Sequence, residues 1–271
     1  MKRITAILMV TLFVLSVLTA CAGNNSAQKS ADAGNNKTEL VVFAAASMTE
    51  TLNEIAELYS KVAPDIKLTF NFDSSGTLKT QIEEGAVCDL FISAAQKQMN
   101  ELEKSGSINS DTRVDLLENK VALCVADNSK KEIKSYDDMK AHLEAGDILM
   151  AIGNEDVPVG QYTQKIFDFY KLDEESLAKK GLLTYGSNVK EVTTQVSEGT
   201  VDCGIIYQTD AYSAKLKVAD TATEDMCGQV IYPAAVLAKS KHTEEAKALL
   251  DYLRKAESSE IFSKVGFTPL S

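Results

Sequence analysis

Positive charge is scarce in this chain of 271 residues: 28 lysines and arginines stand against 39 aspartates and glutamates, a formal net charge of −11. No Lys/Arg-rich run interrupts that balance, so nucleic acid is not an expected partner, since its capture rests on neutralising phosphates. Tryptophan is absent, and histidine occurs only at His142 and His242. Both histidines fall in charged, helix-like stretches far from any serine-containing loop, which leaves a serine nucleophile without a base. The nucleophile elbow G-x-S-x-G, the P-loop and G-x-G-x-x-G are all missing. The acidic pairs Glu83-Glu84, Asp137-Asp138 and Glu174-Glu175 sit in helical stretches and read as solvated faces. An enzyme is therefore not expected. Cysteines form no C-x-x-C pair, and two histidines are too few to complete a zinc site from them. Cys88, Cys124 and Cys203 lie in or beside apolar runs, the setting of small buried thiols; their pairing, and that of Cys227, stays open. No cofactor is expected.

What is present begins with a targeting signal. Lys2 and Arg3 precede an apolar run from Ile4 to Leu18, the charged and hydrophobic regions of a secretion signal over residues 1–20. The run is short for a membrane span, and no later segment offers ~20 apolar residues. Its end, Leu18-Thr19-Ala20-Cys21, resembles the lipobox of bacterial lipoproteins. That resemblance implies cleavage before Cys21, acylation of its thiol and anchoring on the outer face of the cell membrane. Residues 21–38 are small and polar without apolar periodicity, a flexible lipid-anchored linker.

From Leu40 onward, short apolar runs alternate with longer amphipathic ones. "LVVFAAA" reads as a buried strand, and "SMTETLNEIAELYSKVA" as a helix with Leu52, Ile55, Ala56 and Tyr59 on one face. Helices are expected to stop at Gly85 and Gly106, to begin near Pro158, and to end in a long C-terminal helix broken near Glu257–Ser259. The alternation points to an α/β fold with parallel βαβ units, helices covering both faces. One ten-stranded sheet would be wide for this length, so two lobes are expected. The chain should cross between them near Leu117–Val125 and near Val230–Leu237. Residues 39–121 with 236–271 would form lobe 1, and 122–235 lobe 2.

In open α/β sheets, ligands bind where strands run into helices. Those loops here are "AAASMT", "FDSSGTL", "EDVPVGQY", "YGSNVKE" and "IIYQTD". They hold hydroxyls, amides, glycine and small apolar residues, with no cation at the apex. Such loops suit a ligand that accepts hydrogen bonds and carries negative charge, bound by helix N-termini. Ser47 with Glu50 reads as a capping box, as does Asn188 with Glu191. Ser47 could also meet an anion.

The same segments, with "DLFISA" and the closing "IFSKVGFTP", resemble the molybdate-binding proteins of ABC import systems, over about Leu40 to Pro269. The resemblance implies a two-lobed periplasmic-binding-protein fold of type II. Each lobe would be a mainly parallel sheet flanked by helices, with two hinge crossings and molybdate or tungstate held between the lobes. It implies hydroxyl and N–H donation from Ser47 and Ser75, backbone N–H donation from Val159 and Val189, and a phenol donor at Tyr207. Metal would be bound only through its oxyanion oxygens. A monomer that serves a membrane permease is implied. Asp73 lies two residues before Ser75 and would repel an anion unless it points outward or binds elsewhere.

Other readings remain. Sulfate and phosphate share the tetrahedral shape, although phosphate near neutral pH often carries a proton and asks for an acceptor. Ferric iron would need more anionic ligands than one tyrosine. An acyl or phosphoryl transferase using Ser47 or Ser75 lacks its base.

Overall fold

The structure, a computed structural model, describes residues 37–270. The expected signal peptide over residues 1–20, the expected acylation site Cys21 and nearly all of the expected linker lie outside the described residues.

The chain runs β1 (Thr38–Ala45), α1 (Thr49–Val62), β2 (Ile66–Asp73), α2 (Ser75–Glu83), β3 (Leu90–Ile92), α3 (Gln96–Lys104) and β4 (Val114–Asn119). A second series follows: β5 (Val121–Val125), α4 (Tyr136–Ala145), β6 (Met150–Gly153), α5 (Pro158–Tyr170), α6 (Glu174–Lys179), β7 (Leu183–Gly186), α7 (Val189–Ser197), β8 (Cys203–Tyr207), α8 (Gln208–Ala214) and β9 (Lys217–Thr221). The closing elements are α9 (Glu224–Cys227), β10 (Val230–Val236), α10 (Thr243–Leu253), α11 (Ala256–Val265) and β11 (Thr268–Pro269).

Two sheets result, ordered β11-β4-β10-β3-β1-β2 and β7-β6-β8-β5-β9. Strands joined by a covering helix pair in parallel, as β1 does with β2 and β3, and β6 with β7 and β8. β10 runs against β3 and β4, β11 against β4, and β5 against β8 and β9. The sheets are thus mixed rather than mainly parallel. The reason is topological: β5 follows β4 across one residue and β10 returns from the other lobe after only the four-residue α9, so neither has the long crossover that sets neighbouring strands parallel.

The passage from the first sheet to the second is a single residue, Lys120. The return lies between Thr221 and Val230. Residues 230–235, expected in lobe 2, pair with β3 and β4 and belong to the first sheet; Val121, expected in lobe 1, opens a strand of the second. An apolar run buried on both faces carries no mark of which sheet it joins, and that misplaced both boundaries.

The helices obey simple stereochemistry. α1 buries Leu52, Ile55 and Tyr59 on one face. Gly85 and Gly106 follow α2 and α3 with φ of 93° and 70°, the left-handed region that glycine enters without a Cβ penalty. The break in the C-terminal helix falls at Arg254-Lys255, earlier than expected. There the buried Ser258 turns its hydroxyl back to donate to the Tyr252 carbonyl (2.9 Å), which also accepts from the Lys255 N–H (3.0 Å) at the end of the helix.

Candidate functional site

Ser47 follows the buried run Ala44–Ala46 at the carboxyl end of β1. The helix does not start on it. A 3-10 turn, Ala46–Met48, intervenes and moves the N-cap of α1 to Met48, which makes no side-chain cap. The expected capping box therefore does not form. Ser47 Oγ instead sits 2.8 Å from the hydroxyl of Tyr232 on β10, and Glu50 binds Lys190 through both carboxylate oxygens (2.8 Å).

Ser75 is the first residue of α2, and its neighbour Ser74 does the capping by accepting from the Thr77 N–H (3.1 Å). That leaves Ser75 Oγ to accept from the backbone N–H of Ala94, just beyond β3, at 2.9 Å. On the other lobe, Val159 is the second residue of α5, behind Pro158 and with no side-chain cap. Val189 is the first residue of α7. The cap Asn188 takes the N–H groups of Lys190 and Glu191 at 3.0 and 3.2 Å. First-turn amides have no acceptor within their own helix; both caps serve later amides and leave those of Ser75 and Val189 uncapped. Tyr207 ends β8 at the N-cap position of α8.

These five residues line one small pocket between the two sheets, together with Ala45, Ala46, Ala94 and Val157. Each of the five is 4% exposed or less. The Tyr207 hydroxyl is buried and has no hydrogen-bond partner among the described residues. Burial pushes its pKa well above the ordinary phenol value, so it keeps its proton and remains a donor.

Sequence reasoning missed Tyr232 and Asn119. Tyr232 is fully buried, its ring edge-on to Tyr207 at 5.8 Å between centroids. Asn119, at the end of β4, gives its Oδ1 to the Lys120 N–H (2.8 Å) and donates from Nδ2 to Tyr232 (3.1 Å) and to Thr209 on α8 (3.0 Å). A tyrosine inside one apolar strand and an asparagine at the end of another carry no local signal of a site.

Charge around the pocket is compensated before any ligand enters. Asp73 lines it, but its Oδ1 accepts from the Ser74 N–H (2.7 Å) and, across the lobes, from the Asn188 side-chain amide (3.1 Å). Lys190 lies between Glu50 of α1 and the fully buried Asp210 of α8, forming an ion pair with each (2.8 and 3.2 Å). Burial pushes the Asp210 carboxyl up to about 6, against the pull of Lys190. Burial opposes the charge on Lys190 in turn, and Asp210 and Glu50 more than offset it. The four cysteines Cys88, Cys124, Cys203 and Cys227 are buried free thiols; burial raises Cys124 to about 12, which keeps it protonated and inert.

The chain is similar to known proteins over nearly its whole described length. YvgL of Bacillus subtilis (strain 168), named as a candidate ABC transporter substrate-binding lipoprotein, is 34% identical over 256 residues, 94% of this chain and 95% of that protein. The molybdate-binding protein ModA of Escherichia coli (strain K12) is 34% identical over 236 residues, 85% and 89% of the two chains. A solved substrate-binding domain of a candidate molybdenum ABC transporter from Clostridium difficile superposes with a TM-score of 0.63 at 35% identity, covering 87% of this chain and 100% of that one. Residues 40–268 match the family model itself, and the chain belongs to the bacterial extracellular solute-binding proteins.

Proposed function

We propose that this protein captures molybdate or tungstate between its lobes and delivers it to the permease of an ABC importer, tethered outside the membrane by lipid on Cys21. Ser47, Ser75 and Tyr207 would donate hydroxyl protons to the oxyanion, and Val159 and Val189 backbone N–H groups, joined by that of Ser75. The relatives named for molybdate support the choice of anion.

The observation that carries the reading is the polarity of the pocket. Ser75 Oγ already accepts from Ala94, Ser47 Oγ lies against a phenol, and the Tyr207 hydroxyl is unpartnered, so the groups on offer are donors. A fully deprotonated anion matches that set. Hydrogen phosphate would bring a proton of its own and would need an acceptor; the nearby one is Asp73, whose Oδ1 already accepts two hydrogen bonds and whose Oδ2 alone would be left to take it. Burial makes each match matter, since a donor left unpaired costs about 1–3 kcal/mol. Sulfate has the right charge but shorter bonds to oxygen, and donors fixed on helix starts of two lobes cannot follow it inward. Binding then needs no chemistry on the ligand, in keeping with a role in capture rather than catalysis.

Isothermal titration with molybdate, tungstate, sulfate and phosphate tests the reading. Molybdate and tungstate should bind alike, and sulfate at least about thirtyfold more weakly, the equivalent of two strained donors. Sulfate binding within about threefold of molybdate would overturn the choice of ligand. The anchor has its own test: Cys21→Ser should move the protein out of the detergent phase, and unchanged partitioning would refute acylation.

A further inference from the structure

The direction of each proton in the Asn119–Tyr232–Ser47 chain follows from simple counting. Asn119 Oδ1 accepts from the backbone N–H of Lys120, which can only donate, so the amide is oriented and Nδ2 faces Tyr232. An amide nitrogen can only donate, and the Tyr232 oxygen is therefore an acceptor in that bond. The phenol proton must then go elsewhere. Tyr232 is fully buried, and its other hydrogen-bond partner is Ser47 Oγ at 2.8 Å. The distance alone lets either oxygen donate; with the Asn119 amide occupying a lone pair of Tyr232, the phenol proton is available for Ser47 to accept. Burial raises the Tyr232 phenol well above its ordinary range, so the proton stays on it across the physiological span. The Ser47 proton has no place in this chain and is free to turn into the pocket that Ser47 lines.

We propose that Tyr232 is a positioning residue for the anion site: oriented by Asn119, it occupies a lone pair of Ser47 and makes that serine face the ligand as a donor. The proposal rests on the oxyanion reading of the pocket. It assigns Tyr232 and Asn119 a part in specificity without contact to the ligand. It also connects the site to the hinge. Asn119 immediately precedes the single crossing residue Lys120, its second donor bond reaches Thr209 in the other lobe, and Tyr232 lies on β10, the strand that returns from that lobe. Ser75 shows the same device in simpler form, its acceptor role filled by the N–H of Ala94.

A double-mutant cycle tests the assignment. Tyr232→Phe keeps the ring and removes the proton; Ser47→Ala removes the group it acts on. Calorimetric titration with molybdate should show Tyr232→Phe weakening binding about threefold to tenfold, the worth of one hydrogen bond. In the Ser47→Ala background the same change should cost less than about twofold. An equal loss in both backgrounds would mean that Tyr232 matters only to the fold, and no loss in the Ser47 background would mean that it does not matter; either overturns the proposal. A second arm guards against a change in packing. Asn119→Asp keeps the shape but replaces the donor to Tyr232 with an acceptor, which draws the phenol proton away from Ser47. Its loss has one part from added charge, which persists in the Ser47→Ala background, and one part through the serine, which vanishes there. If no part vanishes, the proton count is wrong. Wild-type protein that ignores molybdate but binds sulfate would refute the ligand assignment alone, and the cycle is then read with sulfate.

Discussion

At the scale of single residues, the hydroxyls of this site have separable duties. Tyr207 has a buried O–H without a protein partner, a group that costs free energy until something accepts from it. Tyr207→Phe should leave the melting temperature of the free protein unchanged or higher while weakening molybdate about tenfold to over a hundredfold, the loss of a hydrogen bond to a charged ligand. Thermal melting and titration on the same sample check the opposite signs. Ser75→Ala should behave differently, because it also strips the acceptor from the buried N–H of Ala94. It is expected to lose both affinity and about 1–3 kcal/mol of stability, seen as several degrees in a melt. A melt unchanged from wild type would mean that the Ala94 bond is not made. The positions of these residues were legible in the sequence, because strand ends followed by small polar residues mark where an α/β sheet offers its ligand site. Their roles were not. Ser47 reads as both a cap and a ligand donor, but its contact with Tyr232, 185 residues away, has no trace in the local sequence.

Between elements, the cleft is fastened by an acid–base–acid contact from α1, α7 and α8: Glu50, Lys190 and Asp210. Asp210 is the vulnerable member. Its carboxyl ionises at about 6 in the folded chain against 3.8 for an ordinary aspartate, so the native state holds a proton that the unfolded state has already lost. The stabilising contribution of that proton is complete below 3.8 and disappears as pH rises through about 6; above it, a buried charge must be tolerated. The full span corresponds to about 3 kcal/mol. Asp210→Asn removes this dependence, so its melting temperature relative to wild type should climb by several degrees between pH 4 and pH 7. A constant difference across that range would show that Lys190 fully compensates the ionised carboxylate. Element types along the chain were readable from apolar periodicity, down to the glycines that stop α2 and α3. What escaped were features fixed by distant partners: the 3-10 turn that delays α1, and β10, whose place beside β3 and β4 is decided by pairing rather than composition.

For the whole molecule, the depth of the pocket dictates motion. Ser75 and Val159 are fully buried and Tyr207 is 1% exposed, so an anion cannot reach them unless the lobes part. Closing them again requires close approach at Gly76, the second residue of α2. A methyl group placed there would overlap the backbone carbonyl of Asp156 on the opposite lobe. Glycine at that position serves the approach of one lobe to the other, a demand made only by the closed form. Gly76→Ala should thus separate folding from closure. Within α2 alone, alanine is the better helix former by up to about 1 kcal/mol, which favours stability wherever the lobes are apart. In the closed form the added methyl must push the lobes back, and donors from both sides can no longer meet one anion. A ligand shifts a conformational equilibrium only by its differential affinity for the two states, so a variant barred from closing loses that advantage. Small-angle scattering should show wild-type protein contracting on addition of molybdate and Gly76→Ala holding its extended radius, with affinity reduced by at least about tenfold, the equivalent of a single donor. Contraction of the variant to the wild-type radius would show that the Asp156 loop yields to the methyl group and does not set the limit of closure.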